Sequence, residues 1–312
     1  MKKTIKILIL VLLSHFSYGQ ITTTKVAKKK EEISTKRYDS LQNFLGKDVY
    51  KYIGQELYLK GKSESLREYG YENFYKGYNK NEKIYKCCES YNSKYDELAG
   101  KYFNVLAVYK HPKAEESESL YGTKYYLELK EKESGDKVYF KYDTKYKHSF
   151  PFIVTGFFIK QKVLNTNKEF VVRGKNWVSK TRPMTDINTG QPVSFESGSK
   201  WKGVDLTIEE EYFTLSIILQ NEKGEKIPIS LDNTNNTNFV FVAEEADKYK
   251  KSFGDKNWSK ILNGTVLVGF SEEMVLLSWG KPKKINRTSY RDQWVYDGQY
   301  LYFENGKLKS FN

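Results

Sequence analysis

Histidine and cysteine are scarce in this chain of 312 residues, with three and two respectively, and the scarcity excludes much chemistry. Beyond the apolar leader the only histidines are His111 and His148. Neither has a second histidine beside it or stands in an H-E-x-x-H or H-x-E pattern, so no zinc site is expected. Cys87 and Cys88 are adjacent, which is neither a zinc knuckle nor a thioredoxin motif. In an oxidising compartment they bond to each other or to a partner; otherwise they are two ordinary residues of a strand or loop. The chain lacks a G-x-S-x-G elbow, a G-x-x-x-x-G-K phosphate loop and a G-x-G-x-x-G turn, so no cofactor is expected. Asp232-Asn233-Thr234-Asn235-Asn236 spaces oxygens like a calcium loop, but Thr237 stands where glycine is needed and Ala243 where glutamate is needed, leaving a polar turn. Carboxylates, at 39, are too many for one catalytic pair to be nominated, so a carboxylate-pair enzyme stays open.

Long apolar runs are also missing. Lys2, Lys3 and Lys6 precede the apolar run 7–13 and the small-residue site Ser17-Tyr18-Gly19, so 1–19 reads as an export signal too short to span a bilayer. No later stretch is long enough to be a transmembrane segment. The product is expected to be periplasmic or extracellular, with a peripheral position on the outer membrane allowed. Removing the three leader lysines leaves 49 basic against 39 acidic residues, a net charge of +10. That balance attracts anionic envelope polymers, but it is dispersed along the chain and serves solubility equally well. Nucleic acid is not an expected partner.

The expected fold class is mostly β with a small C-terminal α+β domain. Residues 20–37 are a polar lead-in. Tyr38, Leu41, Phe44 and Leu45 have helical spacing, and strands are expected at 48–53, 55–60, 102–109, 124–130, 137–142 and 152–160. Tyr38-Asp39-x-Leu41 is echoed by Tyr95-Asp96-x-Leu98, which suggests two β-rich modules, 38–92 and 95–162. A third β region covers 165–243, with strands at 170–173, 205–208, 212–220 and 227–231 and a long loop at 174–204. Trp177 and Trp201 on that loop either stack on a ligand or fold back onto the core. A connecting helix is expected at 244–257.

The sharpest local signals lie in 258–312. Ser271 is a helix N-cap, Glu272 and Glu273 complement the dipole, Phe270 and Val275 have staple spacing, and Gly280 with Pro282 stops the helix at Trp279. Asp297-Gly298 and Asn305-Gly306 can each place both central residues at positive φ in a type I′ turn, and two such two-residue loops fix a three-stranded meander. The pairs Tyr296 with Gln299, Trp294 with Leu301, Glu304 with Lys307, Phe303 with Leu308 and Leu301 with Ser310 follow. They put Trp294, Tyr296, Leu301, Phe303 and Leu308 against the helix, and Val295, Tyr300, Tyr302, Lys309 and Phe311 on the opposite face. That second face is too aromatic for plain solvent exposure. Either the rest of the chain covers it or a partner does, and cover from within the chain is the commoner arrangement.

The strings Val268-Gly269-Phe270-Ser271-Glu272-Glu273-Met274-Val275, Trp279-Gly280-Lys281-Pro282, Gln293-Trp294-Val295-Tyr296 and Tyr302-Phe303-Glu304-Asn305-Gly306 resemble the SmpA/OmlA type of small domain. That family includes the BamE-like outer-membrane assembly lipoproteins and is similar in fold to the repeats of the β-lactamase inhibitor protein. The resemblance implies a protein-binding or scaffolding module of the bacterial envelope, and it transfers no catalytic residue. Unlike the lipoprotein members, this chain has no lipid-attachment cysteine after its leader and is not expected to be a lipoprotein. Two functions follow as expectations. One is a non-enzymatic exported binding or scaffold protein contacting an envelope protein or anionic polymer through Val295, Tyr300, Tyr302, Phe311, Trp177 or Trp201. The other is an envelope hydrolase for glycan or peptide, with an Asp/Glu site in the β region and Trp177 or Trp201 as platform.

Overall fold

Alternating aromatic and polar residues build the first sheet. The strands are β1 (Glu56–Leu59), β2 (Phe74–Tyr75), a separate short hairpin of β3 (Cys87–Glu89) and β4 (Asn92–Ser93), then β5 (Tyr102–Lys110), β6 (Lys124–Glu131), β7 (Lys137–Asp143) and β8 (Phe152–Val154). All but β3 and β4 form one six-stranded antiparallel sheet in the order β2-β7-β6-β5-β1-β8. On β7, Val138, Phe140 and Tyr142 point into the core while Lys137, Tyr139 and Lys141 point away, the period of two that a half-buried strand requires. Phe74, Phe103, Phe140 and Phe152 pack together at its centre, Phe152 edge-on to Phe103 and Phe140 and Phe74 tilted against Phe103 and Phe152, with Phe140 and Phe152 centroids 5.0 Å apart. This computed structural model describes residues 37–78, 82–174, 184–209, 213–231 and 240–312, all of them within one compact unit, Thr35–Asn312.

The long strands of the first sheet lie where expected, but four local readings are corrected. Strands of 38–92 and 95–162 are interleaved, since β1 pairs with both β5 and β8; the two stretches make one layer with one core, not two modules. Residues 38–45 are not helical: the Asn43 side chain donates to Phe152 O at 2.7 Å and accepts from Val154 N at 2.8 Å, so it pairs with the edge of β8 as a strand backbone would. Residues 46–52 then turn as a 3₁₀ helix where a strand was expected. The apolar run 152–160 is strand only to Val154; from Thr155 to Asn165 it is helix α1. Short apolar runs do not separate the two states by periodicity.

The second sheet contains β9 (Glu169–Val172), β10 (Lys200–Ile208), β11 (Leu215–Gln220), β12 (Lys226–Ser230) and β13 (Val240–Val242), in the order β12-β11-β10-β9-β13. β10 begins at Lys200, five residues earlier than read from the sequence, which moves Trp201 from the expected loop into the core. Helix α2 (Ala243–Leu262) follows, bent at Gly254, whose φ of 78° is open to glycine at little cost. Helix α3 (Glu272–Trp279) has the expected bounds, with the Ser271 hydroxyl accepting from Met274 N and Gly280 at φ 78°. The third sheet is β14 (Lys284–Arg287), β15 (Asp292–Tyr296), β16 (Gln299–Glu304) and β17 (Lys307–Phe311), antiparallel in chain order. It has four strands, not three, because the polar segment after Pro282 adds β14.

One core joins α2, α3 and the third sheet, and it also takes in Val171 of β9 and Phe241 of β13. The junction is polar at its centre. Arg173, fully buried, donates to Ile261 O at 2.9 Å and Ser278 O at 2.7 Å, and its guanidinium lies 5.4 Å from the Phe241 ring. Both carbonyls belong to last turns, of α2 and of α3, where helices have unpaired acceptors and negative dipole ends. Trp279 Nε1 donates to Gly264 O at 2.8 Å and Gly174 N to Leu262 O at 3.0 Å, completing the caps. Burial lowers the Arg173 pKa to about 9, still protonated at neutral pH.

Arg173→Leu strands the Ser278 carbonyl, while Ile261 O keeps the Gly264 N–H at 3.0 Å, and at about 1–3 kcal/mol per buried unpaired group it is expected to lower stability by about that amount, read as a fall in the urea midpoint. Ser271→Ala removes only the α3 cap and is expected to cost about 1 kcal/mol in the same measurement.

Candidate functional site

The outward face of the third sheet is the candidate site, and its composition follows from what the inward face must bury. Trp294, Leu301, Phe303 and Leu308 are buried against Val275 and Met274 of α3. Side chains alternate along a strand, so Gln293, Val295, Tyr300 and Tyr302 have to face out. Register extends the outer rows to β14: Lys284 lies opposite Val295, which lies opposite Tyr300, and Asn286 lies opposite Gln293, which lies opposite Tyr302. Asn286 Nδ2 donates to Gln293 Oε1 at 2.8 Å, and Gln293 Nε2 donates to the Tyr302 hydroxyl at 3.2 Å. Arg291 lies over the Tyr302 ring with its guanidinium carbon 4.1 Å from the centroid, and donates to Ser310 Oγ at 3.1 Å. A tight β14–β15 turn positions it, with Thr288 Oγ1 accepting from Arg291 N at 3.0 Å and Thr288 N donating to Arg291 O at 3.1 Å.

The expected pairs Tyr296 with Gln299, Trp294 with Leu301, Phe303 with Leu308 and Glu304 with Lys307 are all present. The pair Leu301 with Ser310 is not. A bulge at Lys309 pairs Ser310 with Tyr302 and Phe311 with Leu301, which moves Phe311 off the Tyr300 side of the sheet and brings Ser310 onto it. Cover from within the chain is also corrected, since Tyr300 is 42% exposed while Val295 and Tyr302 are half-buried. Trp201 is 2% exposed, its Nε1 donating to Ser199 Oγ at 3.0 Å and its ring edge-on to Phe195, so it is a core residue and no platform. Trp177, the leader and lead-in 1–36, and the polar turn 232–236 lie outside the described residues. Sequence reading missed Arg291, Asn286 and Ser310. Counting back by twos from Val295 reaches Gln293 and Arg291, so part of the row was accessible; β14 carries only Ile285 as an apolar marker.

Three carboxylates elsewhere, Glu128, Glu131 and Glu56, are held by structural partners. Glu128, buried on the outer side of the first sheet, accepts from the Tyr109 hydroxyl at 2.9 Å and pairs with Lys137 at 2.8 Å. Burial opposes its charge, yet Lys137 and Tyr109 together hold its carboxyl below the usual range. Glu131, fully buried, accepts from Glu133 N and Ser134 N at 2.9 Å each and closes the β6–β7 turn; burial again opposes the charge and these turn donors outweigh it. Neither is suited to donate a proton. Three cavities of about 540, 500 and 280 Å³ flank α1. Among their described lining residues the one carboxylate is Glu56, held by Lys132 at 2.6 Å and by the Thr155 hydroxyl at 3.1 Å. Among the described residues no three His, Cys, Asp or Glu side chains gather as a metal site, and no helix is long and apolar enough to cross a membrane. Cys87 and Cys88 sit exposed on β3, bonded to each other.

No family model matches the chain, and neither a curated protein nor a solved structure matches it.

His111 is a separate titrating feature. It is 8% exposed, stacks on Tyr121 with centroids 4.4 Å apart, and accepts a hydrogen bond from Lys113 N at its Nδ1. Burial first, then Lys141, lowers its pKa, with Lys124 and Lys113 adding to the effect and Glu82 opposing it. The unfolded chain therefore takes up the proton first: His111 leaves stability intact above its ordinary pKa of about 6.5 and erodes it as pH falls below that value. His111→Gln is expected to flatten the loss of melting temperature between about pH 7.5 and pH 5.5 relative to wild type. Parallel curves would remove His111 from the acid response.

Proposed function

We propose that this chain is an exported, non-enzymatic binding or scaffold protein of the bacterial cell envelope, with residues 258–312 acting as an SmpA/OmlA-like contact module. The observation that carries the reading is the two-sidedness of the third sheet. One face is sealed into a core by Trp294, Leu301, Phe303 and Leu308, while the other holds Tyr300 at 42% exposure beside an ordered polar row. Tyrosine and arginine are the residues that most often dominate contact energetics, because each presents a large, stiff surface with a polar end. The hairpin turns and the α3 cap hold that face in one conformation, which limits the ordering cost of binding.

The hydrolase reading is not carried forward. Of its two platform candidates Trp201 is a core residue and Trp177 lies outside the described residues, and the described lining of the three cavities brings no two carboxylates together.

The test is an affinity pull-down from envelope extracts with wild type and a Tyr300→Ser, Tyr302→Ser double variant, both checked for equal melting temperature. The expected result is loss of the components that wild type retains. Identical recovery at equal stability would remove this face as the contact.

A further inference from the structure

The outer face carries a guanidinium with no carboxylate among the described residues at ion-pair distance. Among the described residues Arg291 makes no ion pair, whereas its neighbours do: Arg287 takes Asp292 at 3.5 Å and Lys283 takes Asp297. Stacking on Tyr302 and the bond to Ser310 hold the Arg291 fork in place, and its Nε is buried without an acceptor. A planar, half-desolvated guanidinium fixed in this way is preorganised for a two-pronged bond to an oxyanion. Lys284, exposed and also without an ion pair among the described residues, stands on the same face in the row of Val295 and Tyr300.

Between the two cations runs the row Asn286, Gln293, Tyr302 and Ser310. It crosses all four strands, about 14 Å at the usual strand spacing. Every member is an amide or a hydroxyl, able both to give and to accept a hydrogen bond. The protein's own bonds run one way along it, from Asn286 to Gln293 to the Tyr302 oxygen, which leaves the Tyr302 proton to be given outward. The centres of protein–protein contacts are depleted in charge and rich in apolar side chains, with polar groups at the rim. This face is arranged the other way, polar through its middle with one exposed aromatic ring, Tyr300, beside it.

We propose that the outer face of the third sheet binds an acidic polysaccharide. Arg291 and Lys284 take the carboxylates of the glycan, the amide and hydroxyl row takes its ring hydroxyls, and Tyr300 offers an apolar surface to a sugar ring. The inference rests on the reading of this face as the contact surface and names the chemistry of what it contacts.

The experiment is titration calorimetry of the full chain with polygalacturonate at low ionic strength, against dextran and poly-glutamate as neutral-glycan and acidic-peptide probes. Wild type is expected to bind polygalacturonate and not dextran, and to lose affinity as salt is added. An Arg291→Gln, Lys284→Gln variant is expected to bind about 10-fold or more weakly, the usual scale for losing charged hydrogen bonds, while Lys223→Gln, in the β11–β12 turn, is expected to stay within about 2-fold of wild type. Arg291→Lys keeps the charge and loses the fork, and is expected to fall between them. Absence of wild-type binding, equal weakening by Lys223→Gln, or poly-glutamate bound as tightly as polygalacturonate would overturn the proposal. If polygalacturonate is not bound while the tyrosine double variant still loses its envelope components, the glycan inference falls and the contact face stands.

Discussion

Strict alternation along β15 and β16 is the constraint from which the rest of the C-terminal architecture follows. Trp294, Leu301 and Phe303 have to be buried, because leaving such side chains in water costs about 1.5–3 kcal/mol each. Once they are inside, the pleat leaves Gln293, Val295, Tyr300 and Tyr302 no choice but the opposite side. The two-residue turns at Asp297-Gly298 and Asn305-Gly306 remove the freedom to slip by one residue, which would exchange the faces. An exposed aromatic and polar surface is therefore a consequence of a well-determined core. What selection has placed on that surface is a separate matter from what folds it.

Arg173 ties this unit to the second sheet. A guanidinium between two helix ends bonds a last-turn carbonyl of each, and it fixes α2 and α3 relative to β9. Burying a charge is costly, and here the cost is offset by charged hydrogen bonds to carbonyls at two negative dipole ends. The same residue type on the outer face, Arg291, lacks such acceptors.

The sequence was most legible where structure is set locally. Ser271, Gly280 and Pro282 punctuate α3 at the residues where it begins and ends, and the hairpin turns determine most of the meander register. Legibility failed where distant groups decide. Nothing in Tyr38–Leu45 reveals that Asn43 will stand in for a strand beside Phe152 and Val154, more than a hundred residues away. Nor does the short β1 reveal that it inserts between β5 and β8 and merges what read as two modules. Trp201 looked available on a long loop because the start of β10, Lys200-Trp201-Lys202-Gly203, is a weak strand signal. The bulge at Lys309 has no marker in Lys-Leu-Lys-Ser-Phe, and that one extra residue exchanges Ser310 for Phe311 on the candidate surface. Of that surface the tyrosines were readable, and Gln293 and Arg291 follow by counting back from Val295, whereas Asn286 needed the register through β14 to be placed.

The central claim is that the third sheet has one sealed face and one open face, and hydroxyl-radical footprinting read by mass spectrometry tests it most directly. Tyr300 is expected to be oxidised readily, while Trp294 and Phe303 stay protected until the chain unfolds. Protection of Tyr300 together with ready oxidation of Trp294 in the folded protein would contradict the account.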